Sequence, residues 1–306
     1  MTEHITGLVA APHTPMHADG SLHLARIDKL AEMLIRNGLA GAFACGSTGE
    51  GLSLRVDERM AVAERWTAAA GKDLRIIVHV GATSLADAKA LAAHAMQAGA
   101  WAVGAAPPTY FRPADVEALA GFCAEIAAAA GALPFYYYHI PSLTGVLLPM
   151  HDFLAAAGQR FATMAGVKFT HEDLMDLRLC IELDDGRYDV LFGRDEILLA
   201  GLVMGARGGI GSTYNYAAPL YHRIIEAFEA GDMAGALALQ SRAVTLVQAM
   251  HMFPGQGLAC SKASMKLLGL DCGPVRTPLR NLTEKQFAAY AARLESIGFR
   301  EFRCRV

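Results

Sequence analysis

The chain has 306 residues, 53% hydrophobic and 19% charged, with a formal net charge of −3. That composition supplies a large core and gives no electrostatic reason to expect nucleic acid as a partner. No run of about 18 uncharged apolar residues suggests a membrane span. The stretch from Met1 to Ala11 lacks the basic start and long apolar run of a secretory signal.

Six scattered cysteines with no CxxC pair read as free thiols of a reducing cytoplasm. Length alone suggests about two domains, whereas an α/β barrel of about 250 residues forms a single unit.

Short apolar runs alternate with alanine-rich helical patterns along the chain. The runs at 5–11, 41–45, 74–80 and 101–106 are followed by helical stretches at 24–37, 55–70, 85–98 and 113–130. Further runs at 135–140, 166–169, 188–192 and 208–211 are followed by helical stretches at 150–157, 172–183, 196–204 and 219–230. Most of the runs are continuously apolar, as strands covered on both faces require.

Asn37-Gly38 and Ala98-Gly99 close helices. Ser84 is placed to cap one, and Pro113 is expected to open another at its first turn. Eight βα units in succession favour a closed (β/α)8 TIM barrel over an open sheet. No GxGxxG follows the first strand, which argues against a dinucleotide site. The barrel is assigned to residues 1–230. Residues 231–306 read as a helical C-terminal extension packed on it, broken at Phe253-Pro254-Gly255 and again around 273–278.

Chemistry in such a barrel sits at the C-terminal ends of the strands. The second run ends in Cys45-Gly46-Ser47-Thr48-Gly49-Glu50, where backbone N–H groups and two hydroxyls suit a carboxylate or phosphate. An ordinary capped turn reads the same way. The fifth holds Tyr136-Tyr137-Tyr138-His139. Alternation puts Tyr136 and Tyr138 on one face and Tyr137 on the other. A phenol there can move a proton, or the rings can simply pack. His139 is expected to be a satisfied core histidine.

The sixth holds Lys168 within an apolar strand. Lysine is rarely fully buried, and desolvation favours the neutral amine that attacks a carbonyl. A strand-end lysine reaching solvent is the alternative. The seventh ends in Gly193-Arg194-Asp195-Glu196. Its two acids suit sugar hydroxyls or the cap of the next helix. The eighth ends in Gly208-Gly209-Ile210-Gly211-Ser212-Thr213, a second loop where backbone can approach a ligand closely. No HExxH or EF-hand spacing suggests a metal. Pro15 argues against a helix presenting His13 and His17 together.

Four segments together resemble the N-acetylneuraminate lyase and dihydrodipicolinate synthase superfamily of class I pyruvate aldolases. They are Gly46–Glu50, Tyr138-His139-Ile140-Pro141-Ser142-Leu143-Thr144-Gly145, Gly166-Val167-Lys168-Phe169-Thr170, and Gly211-Ser212-Thr213-Tyr214-Asn215-Tyr216. The resemblance spans nearly the whole length and is nearest the lyase branch. The synthase branch typically has an arginine where Leu143 stands.

The resemblance implies retro-aldol cleavage of N-acetylneuraminate to N-acetylmannosamine and pyruvate, or a related aldolase or dehydratase reaction on another 2-oxo sugar acid. It implies a covalent Schiff base on Lys168, proton transfer by Tyr138, and no metal or organic cofactor. Ser47 and Thr48 match the carboxylate-binding pair. Thr170, Gly193, Asp195, Glu196, Gly211 and Ser212 match positions around the sugar. Tyr110 matches a tyrosine inserted into a neighbouring subunit's site, which implies a homotetramer.

One departure stands out: Arg194 occupies a position usually apolar or aromatic in the lyases, where it could pair with Asp195 or meet an anionic substrate group. A barrel that binds the acid without turning it over would lack Lys168 or Tyr138, and both are present.

Overall fold

The computed structural model describes residues 3–306, so the first two positions of the N-terminal stretch lie outside it. Eight parallel strands close on one another in sequence order, the first pairing with both the second and the eighth. They are β1 (Gly7–Ala10), β2 (Gly41–Ala44), β3 (Arg75–His79), β4 (Ala102–Ala105), β5 (Phe135–His139), β6 (Met164–Phe169), β7 (Asp189–Phe192) and β8 (Gly208–Gly211). This is the (β/α)8 barrel that the alternation predicts.

Nearly every strand residue is buried, which explains why the strands read as continuous apolar runs. The inward set includes Val9, Phe43, Ile77, Tyr136, Tyr138, Leu191 and Ile210, and it fills the barrel as a packed core. The outward set, Tyr137 and Phe169 among it, packs under the helices.

The outer ring consists of α1 (Arg26–Arg36), α2 (Val56–Ala70), α3 (Leu85–Gln97), α4 (Val116–Ala129), a single turn α5 (Pro141–Thr144), α6 (Met150–Arg160), α7 (Leu174–Glu182), α8 (Leu198–Val203) and α9 (Tyr214–Glu229). α1 buries Ile27, Leu30, Ala31 and Leu34, the spacing of one helical face. Ser84 caps α3 as expected, its side chain accepting from the Asp87 N–H.

Pro113 does not open α4. Asp115 does, accepting from the Ala118 N–H at 2.8 Å, because a carboxylate can satisfy an orphan donor that proline merely tolerates. The last barrel helix starts five residues before Pro219, at Tyr214. Pro219 sits inside it, and the chain absorbs the missing donor at Ala217, whose φ of −135° interrupts the helix. The turn α5 lies outside the sequence expectation, although Pro141 at its start and left-handed Gly145 at its end are its own signals.

The tail forms α10 (Met233–Met250), α11 (Gly257–Leu267) and α12 (Glu284–Ser296). It is bolted to the β2 loop by a buried ion pair. Lys262 Nζ lies 2.7 Å from Glu50 Oε1, with side chains 3% and 1% exposed. The Arg276 N–H donates to the other Glu50 oxygen at 2.7 Å, and Lys262 also donates to the Pro274 carbonyl at 2.6 Å.

Removing one member of such a pair leaves a charge buried without its partner, at a cost of about 3–5 kcal/mol. Lys262→Met should therefore lower stability to urea by an amount in that range. The double variant with Glu50→Gln should recover a large part of it. Equal losses in both would mean that packing, not charge, holds the extension there.

Candidate active site

β5 and β6 are neighbours in register, with Tyr138 opposite Lys168. Both point inward, near the C-terminal ends of their strands. Lys168 is 4% exposed in a strand flanked on both sides, which rules out a strand-edge lysine reaching solvent. Its Nζ lies 4.0 Å from the centroid of the Tyr138 ring and 4.4 Å from that of Phe43. Unlike Lys262, it has no carboxylate within salt-bridge distance among the described residues. The amine faces a cleft of about 490 Å³ at the mouth of the barrel.

The β2 loop lies across from the amine. Cys45 and Glu50 both adopt positive φ, and the turn closes through Glu50 N–H to the Ser47 carbonyl and Gly51 N–H to the Gly46 carbonyl. Ser47 and Thr48 stay at its crest and line the cleft. Ser47 Oγ is 3.3 Å from the Tyr138 hydroxyl, so the loop and the β5 phenol form one polar wall beside the lysine.

The opposite side comes from the strand ends β6 to β8. Thr170, Gly193, Asp195, Glu196 and Ser212 all line the cleft. Thr170 Oγ1 is buried with no hydrogen-bond partner among the described residues. Gly193 must be glycine beside it, since a Cβ there would come within 2.0 Å of that oxygen.

Gly211 plays the same part for Asp195, where a Cβ would meet Oδ1 at 2.2 Å. Gly211 therefore backs the site and does not line it. Asp195 does not cap the following helix. Its Oδ2 accepts from the N–H and hydroxyl of Thr213 at 2.8 and 2.7 Å, tying the β7 loop to the β8 loop.

Burial pushes the Asp195 carboxyl up to about 6, against the Thr213 hydrogen bonds and the attraction of Lys168. The folded chain thus keeps a proton on Asp195 between about pH 4 and 6, where an unfolded chain has released it. The stability this group contributes is full below the unfolded value near 4 and is lost as pH rises through about 6, by about 3 kcal/mol in total. Asp195→Asn keeps an acceptor for Thr213 and should remove that slope. Thermal midpoints of variant and wild type, followed from pH 4 to 8, should separate in the variant's favour between about pH 4 and 6. Parallel curves would mean that Asp195 does not titrate there.

Arg194 does not pair with Asp195. Its guanidinium lies between Glu172, from the loop after β6, and Glu196, with Nη1 3.2 Å from Glu196 Oε1. His139 is buried and packed on Phe169, 5.2 Å between ring centroids, yet neither ring nitrogen has a partner. Alternation from Tyr138 turns it outward into the apolar helix layer, where no donor or acceptor meets it. Burial first, and then His171, lower its pKa to about 4 and keep it neutral.

Tyr110 does not reach the cleft of its own chain. With Phe111 it stands on the loop between β4 and α4, 80% and 81% exposed.

Two contributions are absent from the sequence reading. His79 lies edge-on beneath Tyr138, 5.8 Å between ring centroids. Its Nδ1 lies 3.2 Å from the Cys45 carbonyl and its Nε2 accepts from the Ala106 N–H at 3.1 Å, so Nδ1 carries the proton. Burial, Arg59 and Lys168 hold its pKa well below the usual range, and it acts as a neutral prop. The tail closes the cleft: Met250 and His251 at the end of α10 and Leu258 and Ser261 of α11 form its outer wall. The break at Phe253-Pro254-Gly255 marks where the two helices part over the mouth.

The same architecture occurs in known proteins. The chain is 40% identical over 302 residues to the N-acetylneuraminate lyase of Rattus norvegicus, covering 97% of this chain and 94% of that one. Among solved structures, it superposes on Proteus mirabilis N-acetylneuraminate lyase with a TM-score of 0.94 at 40% identity, covering 97% and 100% of the two chains. The N-acetylneuraminate lyase (sialic acid aldolase) of Aliivibrio salmonicida gives the same TM-score and identity over 97% and 98%. Residues 4–297, which hold every side chain of this cleft, match the Dihydrodipicolinate synthetase family, and the chain belongs to it.

Proposed function

We propose that the protein is an N-acetylneuraminate lyase, cleaving the sugar acid to N-acetylmannosamine and pyruvate through a Schiff base on Lys168. The observation that carries this is a lysine with no carboxylate partner among the described residues, opening onto a cleft beside a tyrosine, in a chain 40% identical to lyases of that name.

The Lys168 amine attacks the C2 ketone of the open-chain substrate, and loss of water leaves an iminium. Tyr138, as phenolate, takes the proton of the C4 hydroxyl. The C3–C4 bond then breaks, its electron pair flowing into the iminium to give an enamine, while C4 leaves as the aldehyde of N-acetylmannosamine. Protonation of the enamine at C3 and hydrolysis release pyruvate and restore the amine.

Ser47 and Thr48 hold the carboxylate through hydroxyl and N–H groups, fixing C2 against the amine. Thr170, Asp195, Glu196 and Ser212 take the hydroxyls of the sugar. The chemistry needs no metal or organic cofactor, because the iminium is itself the electron sink.

The barrel, 1–230, carries the reacting groups, and the extension, 231–306, supplies a wall. The exposed Tyr110-Phe111 pair, with the exposed Leu52 and Leu143 around a hollow that Thr109 also lines, supports a homotetramer in which Tyr110 enters a neighbour's site. Six unpaired buried cysteines suit a cytoplasmic protein.

The test is a panel of 2-oxo acids assayed for pyruvate release. N-acetylneuraminate should give the highest kcat/KM. Faster turnover of another 2-oxo sugar acid would transfer the same machinery to that substrate. Binding without release of pyruvate would remove the enzymatic reading.

A further inference from the structure

We infer that Arg194 is a positioning residue that sets specificity for the distal, uncharged end of the substrate by holding Glu196 in place. This rests on the cleavage proposed above. The guanidinium is shared between two carboxylates from different loops: Glu172 after β6 and Glu196 after β7. His171 Nδ1 lies 3.2 Å from the second oxygen of Glu172. A four-member chain, His171–Glu172–Arg194–Glu196, therefore runs along the rim, and its last two members line the cleft.

The arrangement has two consequences. First, Arg194 is committed. Both of its terminal nitrogens face protein carboxylates and its Nε is buried without a partner, so a carboxylate or phosphate on the ligand would have to compete with Glu172 and Glu196 for it. With Glu172 and Glu196 against one arginine, the rim is net negative even while Asp195 holds its proton, and a second anionic group on the substrate meets repulsion.

Second, the Glu196 carboxylate is fixed. Its side chain is 31% exposed, and a glutamate that free at a loop end would sample several rotamers. Held by Arg194, it presents acceptor lone pairs to hydroxyls at a set place beside Asp195, which the Thr213 bonds hold in turn. The rim is built for a neutral polyol end, and the single anion of the substrate goes to the Ser47-Thr48 end of the cleft.

The test compares Arg194→Ala, Arg194→Lys and Glu172→Gln with wild type in two readouts: kcat and KM for N-acetylneuraminate, and Ki for pyruvate as product inhibitor. Pyruvate fills the lysine end and does not reach the rim. Arg194→Ala should raise KM by about tenfold, as expected for loss of one charge-assisted contact, with kcat lowered less than about threefold and pyruvate Ki within about twofold. Glu172→Gln should raise KM by about threefold, and Arg194→Lys should fall between wild type and Arg194→Ala.

An unchanged KM in Arg194→Ala overturns the inference. So does a KM and a pyruvate Ki that rise together, which would mean a mouth disturbed as a whole. If the wild type neither cleaves N-acetylneuraminate nor is inhibited by pyruvate, the underlying assignment fails instead, and the two failures are distinguishable.

Discussion

Replacing Lys168 by methionine should abolish turnover and leave the barrel folded. Methionine matches the length of the lysine stem and carries no charge, and the site it must fill is apolar, between the rings of Phe43 and Tyr138. The thermal midpoint should therefore equal or exceed that of the wild type. What goes is the nucleophile. Without an amine no iminium forms, and the C3–C4 bond has no electron sink. A loss of roughly 10⁴-fold or more in kcat, worth about 5–6 kcal/mol of barrier, is expected from other enzymes stripped of a covalent nucleophile.

The same site can be marked directly. Borohydride added to the wild type with pyruvate should reduce the imine and leave a stable adduct on the peptide containing Lys168, and mass spectrometry should find none in Lys168→Met. An adduct on Lys262 or Lys266 would sink the assignment. The structure makes that outcome unfavourable. Lys262 is held by Glu50 at 2.7 Å and the Pro274 carbonyl at 2.6 Å, and Lys266 sits on the outer helix α11, 3.4 Å from Asp271.

The barrel could be read from the chain because each strand is buried on both faces, and so each strand is an apolar run. The inward residues of β5 were legible for the same kind of reason. Strand alternation is a strict period of two, and it separates Tyr136 and Tyr138 from Tyr137 without further information. The prominence of Lys168 came from a conflict, a polar side chain in an apolar run, and such conflicts concentrate where function outweighs packing.

What the sequence left obscure depends on contacts between distant segments. The partners of Arg194 lie in its own loop and in the loop after β6, and nothing local distinguishes Glu172 from Asp195 as a counter-ion. His139 was expected to be hydrogen-bonded in the core. Its period was right, but the absence of a partner is a property of the helices above it. The wall made by α10 and α11 is legible only as a break in helical pattern, since where a helix docks is decided by pairs such as Lys262 with Glu50, far apart along the chain. The helical pattern starts at Pro219, five residues after the helix itself begins at Tyr214. The backbone at Ala217 accommodates the proline inside the helix.

Removing one oxygen from Tyr138 tests the second half of the chemistry. Tyr138→Phe keeps the ring, and with it the 4.0 Å contact to Lys168 Nζ and the edge contacts to Phe43 and His79. It deletes only the hydroxyl that lies 3.3 Å from Ser47 Oγ. Imine formation depends on the amine and on carboxylate capture, so pyruvate trapping by borohydride should persist. Carbon–carbon cleavage depends on removing the C4 hydroxyl proton, so kcat should fall by about 10²–10⁴-fold, the usual range for a lost general base.

The variant should therefore separate two steps that Lys168→Met removes together. Mixed with N-acetylneuraminate and reduced, it should trap the uncleaved nine-carbon acid on Lys168, where the wild type traps mostly pyruvate. His79 offers no substitute base. Its Nδ1 proton faces the Cys45 carbonyl, its Nε2 is occupied by the Ala106 N–H, and burial keeps it neutral. Turnover within about threefold of wild type would take Tyr138 out of the proton path. The base would then have to be sought among the groups of the opposite wall, Asp195 first, since burial has already raised its carboxyl to about 6.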